Sequence, residues 1–366
     1  MSSNPVNAGA IKTFGDVRSM VQQPANPEAW EALCHALGNW PDARELEDVV
    51  LPYVLTHLER WPDAVRTCPE RWIDGVIRGA RAPVFSVVRA LMLGDRRLRD
   101  VDMLTLARAP ALEHITHLDV GDNPIGMDGL EHLVDTPHAK GLRTLVLDGL
   151  GLGVSGMQMV ATSGHLRALE ALSWRRGSHG LPSIRALTDS KKLGSVGSLD
   201  LSDNESLDKR ALEALSQSAM FEELHTLALD GVPLKMSGLS ALVRRADPRR
   251  LRRLSLREAS LHDAALQMLA RSPNLEGLLW MDLRGHIATD AGVSAMARST
   301  FFPSLVHLDL RARGLTEASA QAWSQATGYP NLTFLGLPSS IGAQGAALLA
   351  RAPSLSEQAR SIYKLM

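Results

Sequence analysis

A short apolar pattern that recurs at a fixed interval constrains the fold of this chain more than any other feature. In each copy an apolar residue is followed by two variable residues, a second apolar residue, one variable residue and a third apolar residue. The interval is 27 residues throughout, except for one of 28 between Val196 and Leu224. Copies in register over this length predict a repeat architecture. The ten copies begin at Val88, Ile115, Leu142, Leu169, Val196, Leu224, Leu251, Leu278, Leu305 and Leu332.

Each repeat is predicted to contain a strand, a turn and a helix. The alternation at the start of each copy is that of a strand with one buried face. Later apolar residues, such as Leu130 and Leu133, have the three-residue spacing of a helix. Glycines such as Gly129 and Gly292 are predicted to open these helices. One repeat cannot bury its own apolar residues, but stacked repeats can, and each buried side chain contributes roughly 1.5–3 kcal/mol.

The predicted fold class is therefore α/β. It is a curved solenoid of about ten repeats, with a parallel sheet on the concave face and helices on the convex face. Numbered from its first apolar residue, each repeat places the side chains of positions one, four and six in the core. Positions three, five and seven then point into the concave groove.

The repeats resemble leucine-rich repeats, and in particular the helix-bearing, ribonuclease-inhibitor-like subclass. The closest matches to that family's consensus are LDVGDNPIGMDGLEHL, which begins at Leu118, and LDLSDNESL, which begins at Leu199. The family's turn asparagine occurs here only as Asn123 and Asn204. We therefore expect less uniform turns than in that family, above all at residues 174–183. The resemblance implies a protein that binds another protein.

The segments outside the repeats are predicted to be helical caps, because terminal repeats need a cover. We place an N-terminal helical cap domain at residues 1–82, the repeats at 83–350 and a C-terminal helical cap at 351–366. Residues 26–38 are predicted to form a helix with Asn26 as its N-cap. Some bacterial leucine-rich-repeat proteins carry a similar helical domain ahead of the repeats. The predicted core of the N-terminal domain contains Trp30, Trp40, Trp61 and Trp72.

Composition excludes several other classes of protein. The net charge of −1 gives no general attraction to nucleic acid or to an anionic membrane. No apolar run is long enough to span a bilayer, and the first residues do not read as a secretory signal. The two cysteines are too few for a disulfide framework. We expect a cytoplasmic monomer that binds neither nucleic acid nor membrane and uses no cofactor.

Repeats seven to ten have the most distinctive groove positions. They place arginines, carboxylates and large aromatic residues on neighbouring strands, and Trp and Arg are enriched in the hot spots of protein interfaces. The alternative is a solvated Arg/Asp lattice that holds the strands together, with the aromatic residues covered by the C-terminal cap. The predicted partner-binding residues are Arg253, Arg257, Trp280, Asp282, Arg284, His307, Asp309, Arg311 and Phe334. Acidic groove residues in the earlier repeats are interpreted as a solubilising surface.

Catalysis and metal binding have weaker support. Cys34, His35, His57 and Cys68 match no zinc-ligand spacing, so we interpret both cysteines as buried structural residues and expect no metal site. The groove carboxylates and His307 are acid/base types, but an open groove supplies no nucleophile and does not exclude water. We therefore expect a protein that is not an enzyme.

The alternative function is GTPase activation. Ran GTPase activators resemble this architecture and present an arginine from an early strand-to-helix turn. This chain has Arg96 and Arg97 in the first such turn. An arginine supplied in trans can stabilise the charge that develops during phosphoryl transfer. The resemblance is one of position only.

Overall fold

The computed structural model describes residues 13–193 and 196–365. Residues 1–12 and Met366, the outer ends of the two predicted caps, lie outside the described residues. The chain forms two compact units: the first contains the residues up to Val146 together with 164–168, and the second contains 147–163 and the residues from Leu169 onward. The three domain boundaries given by the sequence stay predictions.

The first unit combines the N-terminal helices with two repeats and the strand of the third. Its three strands pair in parallel and in chain order. A single π-helical segment, Leu46–Val50, joins α3 to α4. Its elements are α1 (Phe14–Val21), α2 (Pro27–Gly38), α3 (Ala43–Glu45), α4 (Leu51–Leu58), α5 (Glu70–Ile77), β1 (Ala90–Met92), α6 (Asp100–Arg108), β2 (His117–Asp119), α7 (Met127–Asp135) and β3 (Thr144–Val146).

The tryptophans of the first unit are not all in its core. The predicted helix α2 is confirmed, and its N-cap Asn26 accepts a hydrogen bond from the Ala29 amide at 2.8 Å. Trp30, Trp61 and Trp72 are buried as predicted. The prediction for Trp40 is wrong. Its ring is only half-buried, because the indole N–H donates to the carboxylate of Glu45 at the surface, at 3.2 Å.

The second unit contains seven repeats whose strands also pair in parallel and in chain order. Its core lies between strands and helices, where Leu254 and Leu256 are buried together with Leu266 and Leu269. Its strands are β4 (Ala171–Ser173), β5 (Ser198–Asp200), β6 (Thr226–Ala228), β7 (Arg253–Ser255), β8 (Trp280–Asp282), β9 (His307–Asp309) and β10 (Phe334–Gly336). Its helices are α8 (Gly153–Thr162), α9 (Leu181–Thr188), α10 (Lys209–Ser216), α11 (Ala219–Glu223), α12 (Met236–Arg245), α13 (Asp263–Ala270), α14 (Asp290–Ala297), α15 (Glu317–Ser324), α16 (Gly342–Arg351) and α17 (Glu357–Ser361).

Parallel strands that alternate with helices confirm the predicted α/β repeat fold, and the strand register follows the sequence period. The turns are more uniform than predicted. The eighth residue of each of the first eight repeats has a left-handed backbone, and Arg176 of the fourth repeat, at φ 52°, is one of them. The side chain of Asn204 accepts hydrogen bonds from the amides of Gly177 and His179, each at 3.0 Å. A turn asparagine thus holds the turn of the preceding repeat. The turn of the fourth repeat is held by Asn204 and needs no asparagine of its own.

The glycines near the helix starts have a different role from the one predicted. Gly292 does not open α14 but is its third residue. A Cβ there would lie 2.6 Å from a carboxylate oxygen of Asp263, at the start of the preceding helix. That carboxylate accepts hydrogen bonds from the amides of Gly292 and Thr289. The glycine therefore makes room for an aspartate that caps the next helix.

The same cap recurs one repeat later and supports a testable prediction. Asp290 accepts hydrogen bonds from the amide and hydroxyl of Thr316, at 2.9 and 2.7 Å, and from the hydroxyl of Ser319. Burial disfavours the charged carboxylate, but these hydrogen bonds outweigh it and hold the pKa of Asp290 below its ordinary value. Asp290→Ala should lower the free energy of unfolding by about 1–2 kcal/mol in urea titrations at neutral pH.

Glu317→Ala is the matched control for that prediction. Glu317 is also an acidic residue in the first turn of a helix, but it is exposed, and its side chain makes no hydrogen bond or ion pair with the described part of the chain. Glu317→Ala should lower the free energy of unfolding by only a few tenths of a kcal/mol, because it removes a favourable interaction with the helix dipole. Equal losses in the two variants would show that Asp290 does not act as an inter-repeat cap.

Candidate functional site

Four side chains form a continuous stack across strands β7–β10. The Cζ atom of Arg253 lies 4.6 Å from the ring centroid of Trp280. The rings of Trp280 and His307 stack at 5.3 Å with 19° between their planes, and His307 and Phe334 stack at 4.2 Å with 5°. All four occupy the third position of their repeats, and parallel register places these positions side by side. We call this set the aromatic row.

The aromatic row is accessible along its length. Arg253 is exposed, and the three rings are half-buried. Burial lowers the pKa of His307 below its ordinary value, and although Asp309 and Asp282 oppose this shift, Arg253 and Arg284 add to it. At neutral pH the imidazole is therefore uncharged, and the stack contains a cation only at its Arg253 end.

A second row follows at the seventh position, where each strand has just ended. We call Arg257, Arg284 and Arg311 the arginine row. Arg284 donates to both carboxylate oxygens of Asp282, with its Nε at 3.0 Å and one terminal nitrogen at 2.6 Å. Arg311 repeats this geometry on Asp309, at 2.9 and 2.5 Å. Bidentate pairing of this kind fixes the plane of a guanidinium group.

The carboxylates lie beneath the guanidinium groups. Asp282 and Asp309 are 1% and 2% exposed, whereas the arginine side chains are 37–48% exposed. Arg284 also approaches Asp309 on the next strand, at 3.4 Å. The predicted Arg/Asp lattice therefore exists and joins neighbouring strands. It also corrects the expectation that Asp282 and Asp309 face a partner, because the arginines cover them.

Three exposed apolar residues beside the rows were missed from the sequence. Leu279 and Val306 precede Trp280 and His307 and are 42% and 39% exposed, and Ile287 in the turn after β8 is 66% exposed. Their positions are outside the core pattern of the repeat, so the apolar residues there could have been recognised from the sequence as candidate surface residues. Exposed apolar side chains without a core role, close in sequence to exposed aromatic residues, are typical of a binding surface.

The C-terminal cap covers the backbone of the last strand rather than the rings. The hydroxyl of Tyr363 donates to the Leu335 carbonyl at 2.6 Å and accepts from the Leu337 amide at 3.2 Å. This contact satisfies polar groups at the edge of the sheet, which would otherwise be open to pairing. Phe334 keeps part of its surface exposed, so the cap does not close the aromatic row.

Of the two first-turn arginines and the two cysteines, only Arg97 is both exposed and without a side-chain ion pair among the described residues. Arg96 makes a bidentate pair with Glu70, at 2.8 and 2.6 Å, whereas Arg97 is exposed. Cys34 and Cys68 are free and buried, as predicted. Burial raises the pKa of both thiols, that of Cys68 to about 12. In residues 13–193 and 196–365, no three or more His, Cys, Asp or Glu side chains are grouped so as to hold a metal ion.

No helix in the described part of the chain is long and apolar enough to cross a bilayer. No model of a known protein family matches the chain, and no curated protein does. A crystal structure of the Rad7 and Elc1 complex in yeast is similar over 93% of this chain and 87% of that chain, with 16% identity and a TM-score of 0.49. A crystal structure of a TLR13–ssRNA13 complex is similar over 69% of this chain, with 17% identity and a TM-score of 0.43, and the match spans 33% of that chain.

These likenesses are too distant to carry an argument about function. The class of protein follows from the molecule itself. Short parallel strands in 27-residue register, each followed by a helix, give this chain a leucine-rich-repeat-like fold.

Proposed function

We propose that this protein is a binding scaffold that holds another protein on the strand face of repeats seven to ten and has no catalytic activity or cofactor of its own. The observation that carries the proposal is the aromatic row. It places aromatic surface and an exposed arginine in one line, and exposed Leu279 and Val306 precede two of its rings in the sequence. Backbone pairing and the Arg/Asp lattice already join these strands, and neither needs exposed rings.

Several narrower statements belong to the same proposal. We propose that the chain is cytoplasmic, since its two cysteines are both free and buried, and that it acts as a monomer. The ribonuclease-inhibitor-like subclass is favoured by the helix in each repeat. GTPase activation is the weaker alternative, because the pair with Glu70 occupies Arg96 and leaves only Arg97 exposed in the first turn.

Trp280→Ala is expected to weaken binding of the physiological partner at least about 30-fold, since truncating a central aromatic hot spot costs about 2 kcal/mol or more. Arg284→Glu should weaken binding as well. The partner is first captured from the native cell by the tagged full-length chain, and affinities are then measured with purified proteins by calorimetry.

Leu279→Ala and Leu348→Ala form a matched pair for the same experiment. Both leucines are similarly exposed, at 42% and 38%, but Leu348 lies on helix α16, away from the rows. Leu279→Ala should reduce the affinity and Leu348→Ala should leave it unchanged. A partner that binds the Trp280→Ala and Arg284→Glu variants as tightly as the wild type would show that the site lies elsewhere.

A further inference from the structure

A shallow trough runs across strands β7–β10 between the aromatic row and the arginine row. Its floor is the fifth position of each repeat, where Ser255, Asp282, Asp309 and Gly336 are all buried. Inter-strand hydrogen bonds continue past the strands to the eighth position, as between the Gly285 amide and the Arg311 carbonyl at 2.9 Å. The Cα atoms of the two rows are four extended residues apart, about 13 Å. The guanidinium groups of Arg284 and Arg311 bend back over the fifth position, so an α-helix about 10–12 Å wide would lie on top of both rows.

The spacing along the trough also suits a helix. Neighbouring strands are about 4.8 Å apart, and the stacked rings are 5.3 and 4.2 Å apart. One face of a helix repeats every turn, about 5.4 Å. One face of an extended segment repeats every second residue, about 6.7 Å. Over four strands, the side chains on one face of a helix therefore stay nearly opposite successive residues of a row. The side chains on one face of an extended segment drift away from them by more than one strand spacing.

The trough presents positively charged guanidinium groups to a bound molecule. The carboxylates of Asp282 and Asp309 lie under the guanidinium groups, so the outer surface of the arginine row presents N–H donors. Arg284 uses its Nε and one terminal nitrogen on Asp282, and its other terminal nitrogen makes no hydrogen bond to a described residue. The guanidinium of Arg253 stacks on Trp280 and makes no hydrogen bond or ion pair within the described residues. Donors of this type match carboxylates.

We infer that the partner segment held in this trough is an acidic amphipathic helix. It lies across the strands, with a stripe of carboxylate side chains on the arginine row and a neighbouring apolar stripe on the aromatic row. This inference rests on the proposed protein-binding function. A nucleic acid fits less well, because the two preceding strands place Asp230 and Ser202, not arginines, at the position of the arginine row, and a polyanion needs cations along its length.

The test uses the full-length chain and a fluorescent, stapled helical peptide of about four turns that carries a glutamate stripe beside a leucine stripe. Three matched probes accompany it: the same residues in an order that breaks the stripes, the same peptide with lysine for glutamate, and a proline-interrupted form. Fluorescence anisotropy should show tightest binding for the glutamate-stripe helix. Arg253→Glu should weaken that binding about tenfold or more.

Arg253→Glu removes no ion pair, so folding is not expected to change, and circular dichroism checks this. Arg298→Glu, at an exposed arginine that ends α14, is the matched control and should bind the probe like the wild type. Arg311→Gln provides a second variant in the other row and should also weaken binding. Binding that is unchanged in both row variants would overturn the inference.

The remaining outcomes separate the inference from the proposed function. The acidic-helix inference is wrong if another probe binds as tightly as the glutamate-stripe helix. These probes are the lysine peptide, the peptide whose residue order breaks the stripes, and a single-stranded oligonucleotide. If cross-linking places an extended or basic segment of a Trp280-dependent partner in the trough, the protein-binding function holds and the acidic helix is wrong. If neither a protein partner nor any peptide depends on Trp280, both proposals fail.

Discussion

His179→Leu is expected to make the protein more resistant to acid, because it removes a loss of stability of about 3 kcal/mol between neutral pH and pH 4. His179 is completely buried, and neither ring nitrogen hydrogen-bonds to a described residue. Its ring meets the ring of Trp174 edge-on, at 4.7 Å and 83°. Burial lowers the pKa of His179 from 6.5 to about 4.

The direction of the effect follows from proton binding. At a pH between about 4 and 6.5, His179 is protonated in the unfolded chain but not in the folded protein. Acid therefore favours the unfolded chain, and the folded protein loses stability as the pH falls through this range. Each unit of pKa difference is about 1.4 kcal/mol, which gives the figure of about 3 kcal/mol.

Urea unfolding of the wild type and of His179→Leu at several pH values measures this effect. The two proteins should differ little near pH 7.5, and the leucine variant should become the more stable one as the pH falls toward 4. His262→Leu, at an exposed histidine, is the control and should keep the pH dependence of the wild type. Parallel losses of stability in the wild type and His179→Leu would rule out a buried uncharged imidazole at this position.

Asp309→Asn is expected to lower the free energy of unfolding by about 2 kcal/mol and to weaken partner binding as well. The substitution keeps the size of the side chain but removes the negative charge of the buried Asp309 carboxylate, which both Arg311 and Arg284 contact. Hydrogen bonds to charged groups contribute about 1.5–3 kcal/mol each, and burial strengthens them. Without the charge, the two arginines lose the contact that orients them toward a partner.

Urea titrations and calorimetry with the captured partner test the two halves of this prediction. Glu276→Gln removes one carboxylate charge at an exposed position where the side chain makes no hydrogen bond to the described residues, and it should change neither quantity. If Asp309→Asn is as stable as the wild type, the Arg/Asp lattice does not hold the strands together. If it is less stable but binds normally, the arginine row does not contact the partner.

Much of the fold could be predicted because the repeat period carries it. The 27-residue register predicts which positions form strands, and it places Arg253, Trp280, His307 and Phe334 on one face. The N-cap at Asn26 was predictable for a related reason, since a cap acts on amides two or three residues away.

Other features depend on side-chain contacts that the repeat period and the apolar pattern do not show. Trp40 has the same apolar character as Trp30, and only the position of Glu45 in the folded chain leaves it half-buried. The role of Asn204 could not be read from its own repeat, because its side chain acts on the turn of the repeat before it.

The sequence by itself determined the repeat fold and the strand face on which each side chain lies, because period and alternation are properties of the local chain. Only the tertiary structure decided which of these side chains a partner can reach. Asp282 and Arg284 share one strand face, yet the carboxylate is buried and the guanidinium is exposed. The arginine of the same repeat covers each carboxylate and the neighbouring strand packs beside it, so this difference in depth exists only when the repeats are stacked.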